Sequence, residues 1–114
     1  MSDCIFCMII KGDIPSTTVF RDEQVTAFRD LNPAAPTHIL LVPNRHIDSV
    51  NLLANDDEPL IGHLFTTAKQ IASQEGIAED GYRLIINTNA HAGQTVFHIH
   101  LHLLGGAPMK HPMG

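Results

Sequence analysis

Val96-Phe97-His98-Ile99-His100-Leu101-His102-Leu103-Leu104 sets three histidines at every second position of an apolar run. Period two is the pattern of a strand, whose successive side chains point to opposite faces. The reading turns Phe97, Ile99, Leu101 and Leu103 into a core. His98, His100 and His102 fall on the other face, about 7 Å apart in sequence order at the usual strand rise. Lys, Thr or Glu would serve a solvated face equally well, so three imidazoles in a row point to chemistry. Two chemistries use such a row. Neutral imidazoles can hold a metal, or they can do nucleophilic and acid–base work near neutral pH.

The residues leading into the row bear on its use. Asn87-Thr88-Asn89-Ala90-His91-Ala92-Gly93-Gln94-Thr95 is a loop of small and amide side chains. Gly93 permits close backbone approach, and Gln94 and Thr95 offer neutral donors to phosphate oxygens. Neutral donors matter because seven Lys and Arg stand against twelve Asp and Glu, a formal charge of −5. The cations are scattered from Lys11 to Lys110, and nucleic acid as a partner would need a basic footprint. The chain has no run of about 18 apolar residues, and its first ten residues lack a basic stretch. The expectation is therefore a cytoplasmic protein that binds no membrane.

Outward from the row, residues 1–114 read as one domain, with 44% hydrophobic residues for a core and no repeat or linker. Residues 4–11 read as a short helix stopped by Gly12 and Pro15. Residues 19–28 read as a hairpin turning at Asp22-Glu23-Gln24. Asn32-Pro33-Ala34-Ala35-Pro36 is a loop, since two prolines interrupt any ladder. His38-Ile39-Leu40-Leu41-Val42 is a short apolar strand bounded by Pro43. The longest helix is expected over residues 58–75, where Leu60, Leu64, Thr67, Ala68, Ile71 and Ala72 recur at helical period. Asn55, Asp56, Asp57 and Glu58 place acceptors and negative charge at its start, and Gly76 suits its end. Residues 82–87 and 96–104 complete five strands. Short connections favour antiparallel pairing, so the expected class is α+β, an antiparallel sheet with the long helix on one face.

His98-Ile99-His100-Leu101-His102-Leu103-Leu104 resembles the signature of the histidine triad family, and the following Gly105-Gly106 resembles its Hint branch, the purine nucleoside phosphoramidases. The resemblance extends through Ile5-Phe6, Ile14-Pro15, Ala27-Phe28-Arg29-Asp30, Ala35-Pro36-Thr37-His38, Gly81-Tyr82-Arg83, Asn87 and Gly93-Gln94-Thr95. It implies hydrolysis of a phosphorus–nitrogen bond in a nucleoside phosphoramidate, with purine nucleotide as ligand and no cofactor for catalysis. By the same resemblance, His100 is the nucleophile and forms a nucleotidyl-imidazole intermediate. His102 and His38 complete the proton relay, and the backbone carbonyl of His98 holds the other nitrogen of His100. Asn87, Gly93, Gln94 and Thr95 meet the phosphate, and Asp30 accepts from the ribose hydroxyls. Ile5, Phe6, Ile9, Phe28 and Leu31 line the base pocket, although plain core packing would also explain apolar residues there. Thr95 stands where the branch often has Ser, and the tail from Pro108 to Gly114 lacks the aromatic residue of some relatives.

Cys4-x-x-Cys7 is a short-spaced pair that binds metal or stays reduced in a cytosolic protein. Zinc usually takes four ligands, and the resemblance implies His46 and His98 as the other two, in a closed structural site. The family also implies a homodimer with one continuous sheet. Residues 82–87 and the long helix are the expected contact, with Phe65, outside the apolar stripe, as its marker. Two other readings stay open: a dinucleoside polyphosphate hydrolase, and a nucleotide-binding regulatory protein.

Overall fold

A computed structural model describes residues 4–114. The elements run α1 (Ile5–Lys11), β1 (Thr18–Arg21), β2 (Val25–Arg29), β3 (Thr37–Pro43), α2 (Glu58–Gln74), β4 (Tyr82–Ile85), α3 (Asn89–Ala92) and β5 (Leu101–Gly105). Two 3₁₀ turns, Val50–Leu52 and Asn55–Asp57, fill the connection into α2. All five strands pair antiparallel in the order β1-β2-β3-β5-β4. The expected α+β class and the five-stranded sheet are borne out. The 3₁₀ turns and α3 were not expected.

Local chemistry explains the helix ends. Cys4 caps α1, its Sγ accepting from the Cys7 N–H at 3.4 Å. The acidic run before α2 works one turn earlier than expected. Asp57 accepts from the Ala54 N–H at 2.8 Å, so it closes the 3₁₀ turn, and α2 itself begins with Pro59 in its first turn. At the other end Gly76, at φ 75°, lets the Ile77 N–H reach Ala72 O at 3.0 Å.

The pleat sorts the core into two sides. Leu64, Ala68, Ile71 and Ala72 of α2 pack on Val25, Ala27, Ile39, Leu41, Leu101 and Leu103. On the opposite side Phe6 and Ile9 of α1 pack on Phe28, Leu40 and Val42. His38 alternates with Ile39 and His102 alternates with Leu101 and Leu103, so both face the α1 side. The register pairs His38 with Leu104 and Leu40 with His102, which makes the two histidines diagonal neighbours on one face.

The expected strand over residues 96–104 is corrected. Only Leu101–Gly105 belongs to the ladder, and Phe97 is 47% exposed instead of entering the core. Proline supplies the reason. Continued pairing would set Ile99 against Pro43, which has no N–H to give. The Ile99 N–H turns to Ile47 O at 2.7 Å instead, and Pro43 O accepts from His98 Nε2 at 2.8 Å. The strand expected over residues 82–87 likewise stops at Ile85.

Candidate active site

The departure from the ladder distributes the three histidines. His98, fully buried, turns toward α1; His100 and His102 stay together, their ring centroids 4.9 Å apart. His38 joins from β3, its Nε2 3.0 Å from His102 Nδ1 and 3.5 Å from Asp30 Oδ2. Thus His38, His100, His102 and Asp30, far apart in sequence, share one face of the sheet. Phe6 sets its ring edge-on to His100 at 5.0 Å and fixes that side of the site.

Hydrogen bonds decide what each nitrogen can do. His100 Nδ1 lies 2.8 Å from His98 O. A carbonyl accepts, so Nδ1 of neutral His100 carries the proton and Nε2 keeps a bare lone pair. Burial, partly offset by that carbonyl, holds the His100 pKa below the ordinary histidine value. Burial also lowers His38, against the pull of Asp30. His102 is pushed down to about 4 by burial, then by the His100 and His38 rings. The shifts favour the neutral form of all three at pH 7, as nucleophilic attack by His100 requires. Among the described residues, His102 Nε2 is the one buried side-chain polar atom without a hydrogen-bond partner. Leaving such an atom unpaired costs about 1–3 kcal/mol, and a catalytic role is one reason a fold keeps such an exception.

The loop beside the row is built from its own amides. Gln94 is buried; its Oε1 accepts from the Asn89 N–H at 2.8 Å, and its Nε2 donates to Asp48 O at 2.8 Å and Val96 O at 3.1 Å. In this conformation its carboxamide braces the loop. Thr95 is exposed, Asn87 is half-buried, and Gly93 ends α3 at φ 90°. Asp30 closes an Asx turn by accepting from the Asn32 N–H at 2.8 Å, with Oδ2 left toward His38. Of the residues expected at the base pocket, Phe6, Ile9 and Phe28 are buried in the α1-side core, while Ile5 is 43% and Leu31 84% exposed.

A second cluster sits behind His100. The donor atoms of Cys4, Cys7, His46 and His98 all lie within 4.8 Å of one another. Cys4 Sγ is 3.4 Å and Cys7 Sγ 3.5 Å from His98 Nδ1, and Cys7 Sγ is 3.4 Å from His46 Nδ1. Tetrahedral zinc with ordinary bond lengths separates sulfur and nitrogen ligands by about 3.5 Å. Pro43 O accepts from His98 Nε2, and Asp48 Oδ1 lies 2.6 Å from His46 Nε2. Both acceptors put the proton on Nε2 and leave Nδ1 free to coordinate. Burial raises the Cys4 thiol pKa, a penalty that a bound cation reverses. Sequence reasoning missed Asp48 and Pro43 O as supports of this cluster; the His46-x-Asp48 spacing was the available signal.

The HIT domain family model matches residues 11–109. The chain belongs to the HIT domain family. It is 57% identical over 107 residues to the purine nucleoside phosphoramidase of Escherichia coli strain K12, covering 94% of this chain and 90% of that protein. It is 51% identical over 116 residues to a 14 kDa zinc-binding protein of Zea mays, covering 99% of this chain and 89% of the other. A crystal structure of a HIT family hydrolase from Legionella pneumophila superposes with a TM-score of 0.95 at 49% identity, over 98% of this chain and 100% of that one. In this HIT domain no helix among the described residues is long and apolar enough to cross a membrane.

Proposed function

We propose that this HIT-domain protein hydrolyses purine nucleoside 5′-phosphoramidates, nucleoside monophosphates joined to an amine, through a nucleotidyl-histidine intermediate. The observation that carries the reading is the nitrogen setting of His100: Nδ1 is tied to His98 O, which leaves Nε2 bare on the face shared with His38, His102 and Asp30. The similarity to a purine nucleoside phosphoramidase supports the substrate class. His100 Nε2 attacks the α-phosphorus as the phosphorus–amine bond breaks, and the departing amine takes a proton that solvent supplies along the His38–His102 relay. The phosphoryl-imidazolium so formed is a good leaving group. Water then attacks phosphorus, gives its proton back through the same relay to solvent and releases neutral His100. Gly93, Thr95, Asn87 and the loop braced by Gln94 receive the phosphate oxygens. Asp30 takes the ribose hydroxyls, and Ile5, Leu31 and the edge of the Phe6–Ile9–Phe28 cluster take the base.

The test is direct. His100→Ala keeps the fold and binds adenosine monophosphate but lowers phosphoramidate turnover by about a thousandfold or more. A folded variant with near-normal turnover refutes the assignment. Wild type should turn over an adenosine phosphoramidate far faster than a diadenosine polyphosphate; the reverse order would move the protein to the dinucleotide-cleaving reading.

The same proposal gives the chain one structural zinc on Cys4, Cys7, His46 and His98, a homodimeric state and a cytoplasmic location. Those four residues would hold zinc between α1, the turn after β3 and residue 98, where it would supply a structural tie and leave catalysis to the histidines. Protein purified without chelator should hold one zinc per chain, and its removal should lower the melting temperature more than the activity of each folded molecule. Metal-free protein of equal stability would reduce the cysteine pair to a feature of the first helix.

A further inference from the structure

We propose that the backbone N–H of Ala34 is a positioning group for the reaction, fixing the tautomer of His38 and, through it, which nitrogen of His102 carries a proton. The Ala34 N–H lies 3.0 Å from His38 Nδ1. An N–H only donates, so Nδ1 of neutral His38 is bare and its proton sits on Nε2. That Nε2–H has two acceptors in front of it, His102 Nδ1 at 3.0 Å and Asp30 Oδ2 at 3.5 Å. A proton on His102 Nδ1 would then face another N–H at 3.0 Å. His102 Nδ1 is therefore bare too, and its proton sits on Nε2, the buried atom with no partner among the described residues.

The opposite arrangement shows what the amide decides. With the proton of His38 on Nδ1, two donors would meet head-on at Ala34. The lone pair of His38 Nε2 would then face the Asp30 carboxylate and draw the proton of His102 onto Nδ1. His102 Nε2 would present a lone pair, unable to donate a hydrogen bond to a leaving amine. One main-chain N–H thus chooses between a donor and an acceptor at the far end of the relay. It does not titrate, and Pro33 and Pro36 limit the freedom of the loop that carries it. The same choice bears on metal binding. Asp30, His38 and His102 offer donor atoms within 4.8 Å of one another, but a cation there would need the lone pair that the Ala34 amide keeps protonated on His38.

The catalytic consequence rests on the hydrolase reading, while the tautomers do not, and the measurements separate the two. In the full-length protein with ¹⁵N-labelled histidine at neutral pH, His38 and His102 should each show a bare Nδ1 and a protonated Nε2. A protonated His38 Nδ1 overturns the proposal without any variant. Replacing Ala34 by lactate turns its amide into an ester and removes the N–H while keeping every side chain. That protein should show mixed tautomers at His38 and a kcat about tenfold to a hundredfold lower, with KM within about twofold. Lactate in place of Ala35 should leave the signals and kcat unchanged. Wild-type tautomers and kcat in the Ala34 ester would also overturn the role. The expected tautomers in a wild-type protein inactive on phosphoramidates would strike the hydrolase reading and leave the assignment standing.

Discussion

At the scale of the residue, the site shows one side-chain type made to differ by its hydrogen bonds. His98 puts Nδ1 toward two thiols because Pro43 O holds its Nε2. His100 offers the other nitrogen because His98 O holds its Nδ1. His102 is governed by His38 across the sheet. Asp30 is the carboxylate placed against His38, and its two oxygens have separate surroundings: Oδ1 is held by the Asn32 N–H, and Oδ2 lies toward His38. A ribose diol placed there would gain charge-assisted hydrogen bonds, worth about 1.5–3 kcal/mol each. Asp30→Ala should therefore weaken adenosine monophosphate by about tenfold or more and its 2′,3′-dideoxy analogue far less. Calorimetric titration of both ligands measures the difference, and equal weakening would remove Asp30 from ribose recognition.

At the scale of the element, β5 explains why a glycine pair follows the histidine strand. A Cβ on Gly105 would lie 2.6 Å from Ile77 Cδ1 and 3.3 Å from Ile77 Cβ, while Gly106 adopts φ 93° beside Pro36. Gly105 also pairs with both Thr37 and Tyr82, so the strand has no room to shift sideways. Gly105→Ala should cost about 1–3 kcal/mol, the usual penalty for overpacking, and denaturant unfolding would show it as a lower midpoint at unchanged slope. Ile77→Val in the same background should recover part of the loss; no recovery would place the strain elsewhere. Elements with strong local signals were legible in the sequence. The periodic stripe placed α2 within a residue of Glu58–Gln74, and the apolar run before Pro43 placed β3. Alternation misled at residues 96–100, because a period of two says nothing of whether a neighbouring strand can still pair, and the decisive residue, Pro43, lies on that neighbour. The site divides in the same way. His100 and His102 share a face as the alternation suggests, and His38 and Asp30 join them as the resemblance implies, but the groups that set their protons are the main-chain atoms of Ala34 and His98. The His98 carbonyl came only from the family resemblance, and the Ala34 amide needed coordinates, since main-chain groups leave no mark in residue identity.

At the scale of the molecule, the sheet has two edges to protect, β1 and β4. They are not equivalent. The pairing of β1 with β2 is interrupted by a register shift between Thr18 and Phe20, a bulge of the kind that blunts an edge. β4 pairs with β5 in unbroken register from Tyr82 to Ile85 and presents its other side along four half-buried residues. An unbroken edge joins readily with its own copy, since antiparallel pairing about a two-fold axis satisfies both strands alike. On α2, Phe65 lies outside the buried stripe and is 42% exposed, next to the fully buried Leu64. Burying an exposed aromatic on each of two helices adds apolar area to an edge-to-edge pairing that main-chain hydrogen bonds alone would hold weakly. Wild type should therefore sediment at micromolar concentration with twice the protomer mass. Phe65→Glu should shift it toward monomer, because pairing would bring two carboxylates into an apolar contact. Wild-type protein that sediments as a monomer overturns the dimer, and a fully dimeric variant removes Phe65 from the interface while leaving the β4 edge as the contact.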